Sequence, residues 1–150
     1  MSSVLFQKIR EQRGLAYTVF SFHDFFSDAG VFGTYLATDG THVRQAIEVI
    51  LAEQRRLKKR MISSARLQMV KNQLKGHLVL GMESTGNRMN RIARQELMLG
   101  GYQSMSQTLD EIDKVTPAML REAAELCLDE DQLALAVLGP VDRDEVEAAL

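Results

Sequence analysis

Few side chains in this sequence have reactive potential, and most of them stand alone. His23, His42 and His77 are far apart, and neither His-x-x-Glu-His nor His-Glu-x-x-His occurs. A zinc ion needs three or four ligands converging at short range, so no metal site is expected from this chain by itself. Cys127 is the one cysteine. It falls on the apolar stripe of a helix, where a buried, inert thiol is expected, and it has no partner for an internal disulfide. There is no Gly-x-Ser-x-Gly elbow, and Gly14, Gly100 and Gly101 fit neither a phosphate loop nor a dinucleotide fingerprint. Arg10 and Tyr17 remain. Arg10 lies near the end of a first helix and Tyr17 early in the strand that follows, with a reversal at Gly14 between them. A guanidinium and a phenol aimed into one space can stabilise a carbonyl oxygen as it gains charge. Spacing alone equally describes an exposed helix arginine and a half-buried strand tyrosine, which is the more common arrangement.

Composition narrows the classes. The chain has 150 residues, 45% of them hydrophobic, with 18 basic residues against 20 acidic ones. That is enough apolar chain for a real core, and the low net charge argues against disorder. A nucleic-acid binder driven by bulk positive charge is disfavoured for the same reason. The longest apolar runs, such as Leu133 to Leu138, fall far short of a membrane span, and Lys8 and Arg10 bring charge too early for a signal peptide. No membrane partner is expected, and a cytoplasmic location is the expectation.

Several elements must position Arg10 and Tyr17. Val4, Leu5 and Ile9 predict a helix from Ser3, capped by Gly14. Leu15 to Phe22 reads as a strand, Ser27 to Gly30 as a turn, and Val31 to Thr38 as a second, antiparallel strand. Asp39-Gly40-Thr41 opens a helix with a stripe of Val43, Ile47, Ile50, Leu51 and Leu57. The basic cluster from Arg55 to Arg60 reads as its solvated end. Ser63 or Ser64 caps a helix striped with Leu67, Val70, Leu74 and Leu78. After a break from Gly81 to Gly86, a helix runs to Leu99, and a short one spans Ser106 to Ile112. Thr116-Pro117 starts a helix through Leu120, Ala123, Ala124 and Cys127. Gln132 to Leu138 is predicted as a strand buried on both faces, and Val141 to Leu150 as a last helix. The result is an α+β arrangement: an antiparallel sheet with helices packed on one face, expected to lack its first strand. An open sheet edge of that kind invites self-association.

The stretch Met1-Ser2-Ser3-Val4-Leu5-Phe6-Gln7-Lys8-Ile9-Arg10-Glu11-Gln12-Arg13-Gly14-Leu15-Ala16-Tyr17 resembles a motif of the insulinase, pitrilysin and mitochondrial-processing-peptidase family. Further resemblances follow in order: Ser27-Asp28-Ala29-Gly30, Lys71-Asn72-Gln73-Leu74-Lys75-Gly76, Glu83-Ser84-Thr85 with Arg88-Met89, Arg94-Gln95-Glu96-Leu97, and Leu135 to Pro140. Members of that family are zinc metallopeptidases, also called inverzincins, built from paired α+β halves of the LuxS and mitochondrial-processing-peptidase type. One half carries the inverted zinc motif. The later half contributes an arginine and a tyrosine whose separation matches Arg10 and Tyr17. The resemblance therefore implies that residues 1–150 are a C-terminal Arg/Tyr domain, truncated at its N-terminus. Arg10 and Tyr17 would bind substrate and stabilise the transition state. No catalytic or metal-binding residue is implied on this chain alone, and zinc would sit on the missing half or a partner. Val4 departs from the usual arginine after Met-Ser-Ser.

Three functions follow as expectations. The first is the substrate-binding half of a zinc metalloendopeptidase, inactive as an isolated fragment. Its partners would be a zinc-binding half or homologous subunit, a peptide substrate and, as a homo-oligomer such as a dimer, further copies of itself. The alternative is a non-catalytic structural homologue of the core-subunit type, a role that does not require both Arg10 and Tyr17. A single-stranded RNA binder would need exposed stacking residues among Phe20, Phe22, Phe25, Phe26, Phe32 and Tyr35. Low aromatic content and the lack of a basic sheet face favour a core role for these rings, so no nucleic-acid partner is expected.

Overall fold

The computed structural model describes residues 3–150. It divides into two compact units, one holding the described residues up to Arg60 together with Ala123–Leu150, the other Met61–Glu122.

The first unit opens on a π-helical segment, Phe6–Glu11, that buries Ile9 completely. The expected reversal at Gly14 is present, and its cause is visible. Gly14 takes φ +61°, a left-handed conformation that a side chain disfavours. Its amide donates to the Arg10 carbonyl at 3.1 Å, and the Leu15 amide donates to the Ile9 carbonyl at 2.8 Å. The Leu15 carbonyl in turn accepts the Thr38 hydroxyl. With the backbone of Leu15 committed to this turn, the first strand starts later than the sequence pattern suggests: β1 is Thr18–Phe25 and β2 is Gly30–Ala37. They pair antiparallel, with Phe20 opposite Tyr35 and Phe22 opposite Gly33. Gly33 leaves room for the Phe22 ring, which a β-carbon at that position would displace.

Asp39 caps a 3₁₀ turn, Gly40–His42, that leads into α1, Val43–Lys59. Its Oδ1 accepts the Thr41 hydroxyl at 2.7 Å and the Thr41 amide at 2.9 Å, which hold the carboxyl below the usual carboxylate range. Helix α1 organises this unit. Val49 joins Ile9, Leu15, Ala16 and Val19 in one cluster, while Ile47 and Leu51 pack with Ala149 in a second. The basic end of α1 is tied down by specific partners. Arg55 grips Glu130 through Nη2 at 2.6 Å and Nε at 2.9 Å, and Lys58 Nζ donates to the Leu128 carbonyl at 2.9 Å. Lys8 and Arg56 both pair with Glu53.

The second unit begins with α2, Ser64–Gly81, then α3, Thr85–Leu99, and α4, Met105–Lys114. Of the two expected caps for α2 it is Ser63 whose Oγ accepts from the Arg66 amide; α4 begins one residue before the expected Ser106, with Ser104 and Gln107 forming a reciprocal capping box. The stripe expected on α2 is only partly buried. Leu67 is inside, but Val70 and Leu74 are 44% and 47% exposed. The helix is held to α4 by polar contacts instead. Buried Lys71 donates to the Asp113 carbonyl at 2.8 Å, and Lys75 pairs with the Asp113 carboxylate at 2.7 Å. Arg91 links α3 to Thr108 of α4 at 2.6 Å. Then α5, Pro117–Cys127, follows Thr116, whose hydroxyl accepts from the Met119 amide; the short α6, Arg143–Glu147, belongs to the first unit.

One expected element is corrected. Residues 132–138 do not form a doubly buried strand. A 3₁₀ turn, Glu130–Gln132, gives way to an irregular segment in which Leu133, Leu135 and Val137 are each about 41–42% exposed and Leu138 is fully exposed. Among the described residues the sheet has two strands only. The physical reason is pairing: an apolar run becomes a strand only when neighbours accept its backbone hydrogen bonds. The architecture is α+β, with helix packed against an antiparallel hairpin.

Two predictions follow from this packing. Ile9→Ala should cost roughly 2–5 kcal/mol in urea unfolding, since a fully enclosed side chain leaves a cavity. The hydrogen bonds from Arg55 hold Glu130 below its ordinary range. A lowered folded pKa gives stability that is present above the unfolded value and is lost as pH falls through the folded one. Glu130→Gln should therefore lower Tm at pH 7, and the gap to wild type should close as pH falls below about 4.

Candidate functional site

Arg10 is the penultimate residue of the π-helical segment and sits at its exposed end, with its guanidinium carbon 5.0 Å from the centre of the Phe6 ring. This cation–π contact limits where the charge can go. No carboxylate pairs with Arg10 among the described residues. Tyr17 lies just before β1. Its amide donates to the Ala37 carbonyl at 2.9 Å, which fixes its main chain, while the residue as a whole is 75% exposed. The Gly14 reversal joins the two positions, and burial of Leu15 and Ala16 between them anchors that connection to the core. Both are therefore donors on a rigid support that face solvent. Met1 and Ser2, which open the resembling stretch, lie outside the described residues.

The remaining candidates are dispersed. His23 sits on β1 with its ring 5.1 Å from that of Phe25, His42 ends the 3₁₀ turn, and His77 lies on α2. Among the described residues no three His, Cys, Asp or Glu side chains come together. The residues present do not fit a zinc site. Cys127 is exposed, contrary to the buried position that its helical stripe suggests. The aromatic residues are corrected likewise: Phe20, Phe22, Phe25, Phe26, Phe32 and Tyr35 are all 39–71% exposed, not core. Phe20 and Tyr35 stack at 5.1 Å across the hairpin. Neither strand carries a lysine or arginine, so these rings have no cations beside them for a phosphate backbone.

One feature of the unit escaped the sequence reading. A cleft of about 580 Å³ separates β2 from the segment around Leu133 to Ala136, with Phe22, Tyr35 and Cys127 among its walls. The available signal was the lack of any charge in either bordering stretch.

Residues 1–74, which contain both Arg10 and Tyr17, match the Peptidase M16 inactive domain. Zinc protease YmxG of Bacillus subtilis is 36% identical over 140 residues, covering 93% of this chain and 34% of that protein. A zinc protease of Streptomyces coelicolor is 37% identical over 141 residues, covering 94% and 30%. The mitochondrial-processing peptidase subunit beta of Saccharomyces cerevisiae is 29% identical over 127 residues, covering 83% and 28%. A chain of complex III2 from Candida albicans superposes with a TM-score of 0.74 at 24% identity, over 84% of this chain and 30% of its own, which shows a shared fold. The chain belongs to the insulinase-like peptidase M16 family. It spans about a third of the length of the curated relatives it matches, and those relatives make zinc a property of the family.

The turn that carries the site is testable. Gly14→Ala should cost roughly 1 kcal/mol in urea unfolding because alanine resists the left-handed conformation, and Gly14→Asn should cost less.

Proposed function

We propose that residues 1–150 act as the C-terminal, substrate-binding domain of a zinc-dependent metalloendopeptidase, completing an active site whose metal lies on another domain or subunit. The observation that carries this reading is the placement of Arg10 and Tyr17. Both are exposed, neither has an acidic partner among the described residues, and the Gly14 reversal links them inside the stretch that matches the family's inactive domain. In this reading both side chains hold the carbonyl oxygen of the peptide bond being cleaved. The guanidinium supplies fixed positive charge and the phenol supplies a short hydrogen bond, each strengthening as the oxygen becomes anionic. The Phe6 ring beneath Arg10 favours one position of the cation. Zinc, where bound, polarises the same carbonyl and activates water. The isolated chain is accordingly inert toward peptides. A cytoplasmic setting and a homologous partner subunit belong to the same proposal.

The test is kinetic. With the zinc-bearing half present, Tyr17→Phe should lower kcat by about 10²-fold with little change in KM, because a donor acting on developing charge is missed mainly in the transition state. An unchanged kcat would leave Tyr17 without a role in turnover. In that case the non-catalytic homologue becomes the better description.

A further inference from the structure

Several arginines of this chain hold carboxylates: Arg44, Arg55, Arg56 and Arg143 each do so. Two arginines on α3 do not. Arg91 uses Nη2 on the Thr108 hydroxyl at 2.6 Å and on the Gln103 carbonyl at 3.4 Å, and Arg94 has no partner among the described residues. Both line a groove of about 640 Å³ between α2 and α3, wholly inside the second unit. No acidic residue lines that groove, α2 contains no Asp or Glu, and α3 contains only Glu96. The α3 wall is made by positions 87, 90, 91, 94 and 95, the spacing of three and four that aligns side chains along a helix. Facing it are Leu78 of α2 and Met82 just after that helix, both half-buried and apolar.

The polar groups of the α3 wall follow an order. Asn87 and Asn90 come first, then Arg91 and Arg94, with Gln95 beside them. Two of the amides are already oriented. Asn87 Nδ2 donates to the Gly81 carbonyl at 2.9 Å, which leaves its Oδ1 as a free acceptor. Gln95 Oε1 accepts from the Gln103 amide at 3.3 Å, which leaves its Nε2 as a free donor. Thr108 fixes the Arg91 fork and leaves its Nε edge open. Groups set in advance lose little freedom on binding. A simple oxyanion answers only part of this set, because it is chiefly an acceptor and leaves Asn87 Oδ1 unmatched. Side-chain amides, each with a donor and an acceptor, match peptide groups, and a guanidinium matches a planar carboxylate bidentately. From position 87 to 94 is ~10 Å along an α-helix, the reach of about three extended residues.

We infer that this groove binds the carboxyl terminus of a peptide or protein. The terminal carboxylate lies on Arg91 and Arg94, the preceding peptide groups on Asn87, Asn90 and Gln95, and apolar side chains of the last residues on Leu78 and Met82. The attraction is local, since the chain as a whole carries a net charge of −2. Binding here needs neither Arg10 nor Tyr17 nor zinc, and so goes beyond the proposed catalytic role: it holds one end of a polypeptide, whatever becomes of its other bonds.

The probe is the peptide Gly-Ala-Val-Leu with fluorescein at its N-terminus and a free C-terminal carboxylate, titrated into the 150-residue chain and followed by fluorescence anisotropy. Binding should saturate, and the same peptide ending in an amide should bind about tenfold more weakly, because the charge that the guanidinium groups meet is gone. Arg94→Gln should weaken binding by about the same factor. Asn90→Asp, which sets a carboxylate against that of the ligand, should abolish it. Both variants replace exposed side chains that have no partner among the described residues, so circular dichroism should be unchanged. Lys59→Gln, which removes a charge from the other unit, should bind as wild type does. The inference is overturned if the amidated peptide binds equally well, a comparison made on the native chain and so independent of any variant's folding. It is also overturned if Arg94→Gln is harmless, or if Lys59→Gln weakens binding as much. Inorganic phosphate competing as well as unlabelled peptide overturns it too, and makes the groove a site for simple anions.

Discussion

Helix α1 is the constraint on which the first unit depends, because it buries two different clusters on two of its faces. Val49 faces Ile9, Leu15, Ala16 and Val19, and Ile47 with Leu51 faces Ala149. Without it the hairpin would be a lone two-stranded ribbon, which is barely stable in water. The π-helical turn, the Gly14 reversal and the hairpin all acquire a fixed position through that first cluster. Arg10 and Tyr17 are consequently presented by the most buried part of the unit, although neither is buried. In the proposed role, such a mount would spare the donor pair reorganisation when charge develops on the substrate.

The polar contacts of the molecule divide into those that build and those that are left open. Lys71, Lys75, Arg91, Arg55 and Lys58 each satisfy a carbonyl, hydroxyl or carboxylate within their own unit. Exposed ion pairs contribute little individually, but the buried Lys71 contact replaces apolar packing that α2 does not supply. Arg10, by contrast, meets only an aromatic face.

Much of this was legible in the residues. Asp39, Ser63 and Thr116 announce helix starts because their side chains can accept amides that have no partner in the first turn, and each does so here. Ser27-Asp28 marks the hairpin turn, and the Arg10 to Tyr17 stretch carries the family likeness. What was not legible depends on partners. An apolar run such as Leu133 to Leu138 states that burial is wanted without stating by what, so it reads as a strand even where nothing pairs with it. The α2 pattern failed differently: Met69, Val70, Val79 and Leu80 add apolar positions around the whole helix, so no one stripe is privileged. Cys127 shares that fate, reading as interior on a helix whose neighbours leave it open.

The ring of Phe22 resting where residue 33 lacks a side chain has a wider meaning for the hairpin. Phe22 also forms part of the cleft wall, so the space at Gly33 decides how far that wall stands back. A single hydrogen in place of a methyl group thus acts as a recess, drawing an aromatic plate flat against the sheet.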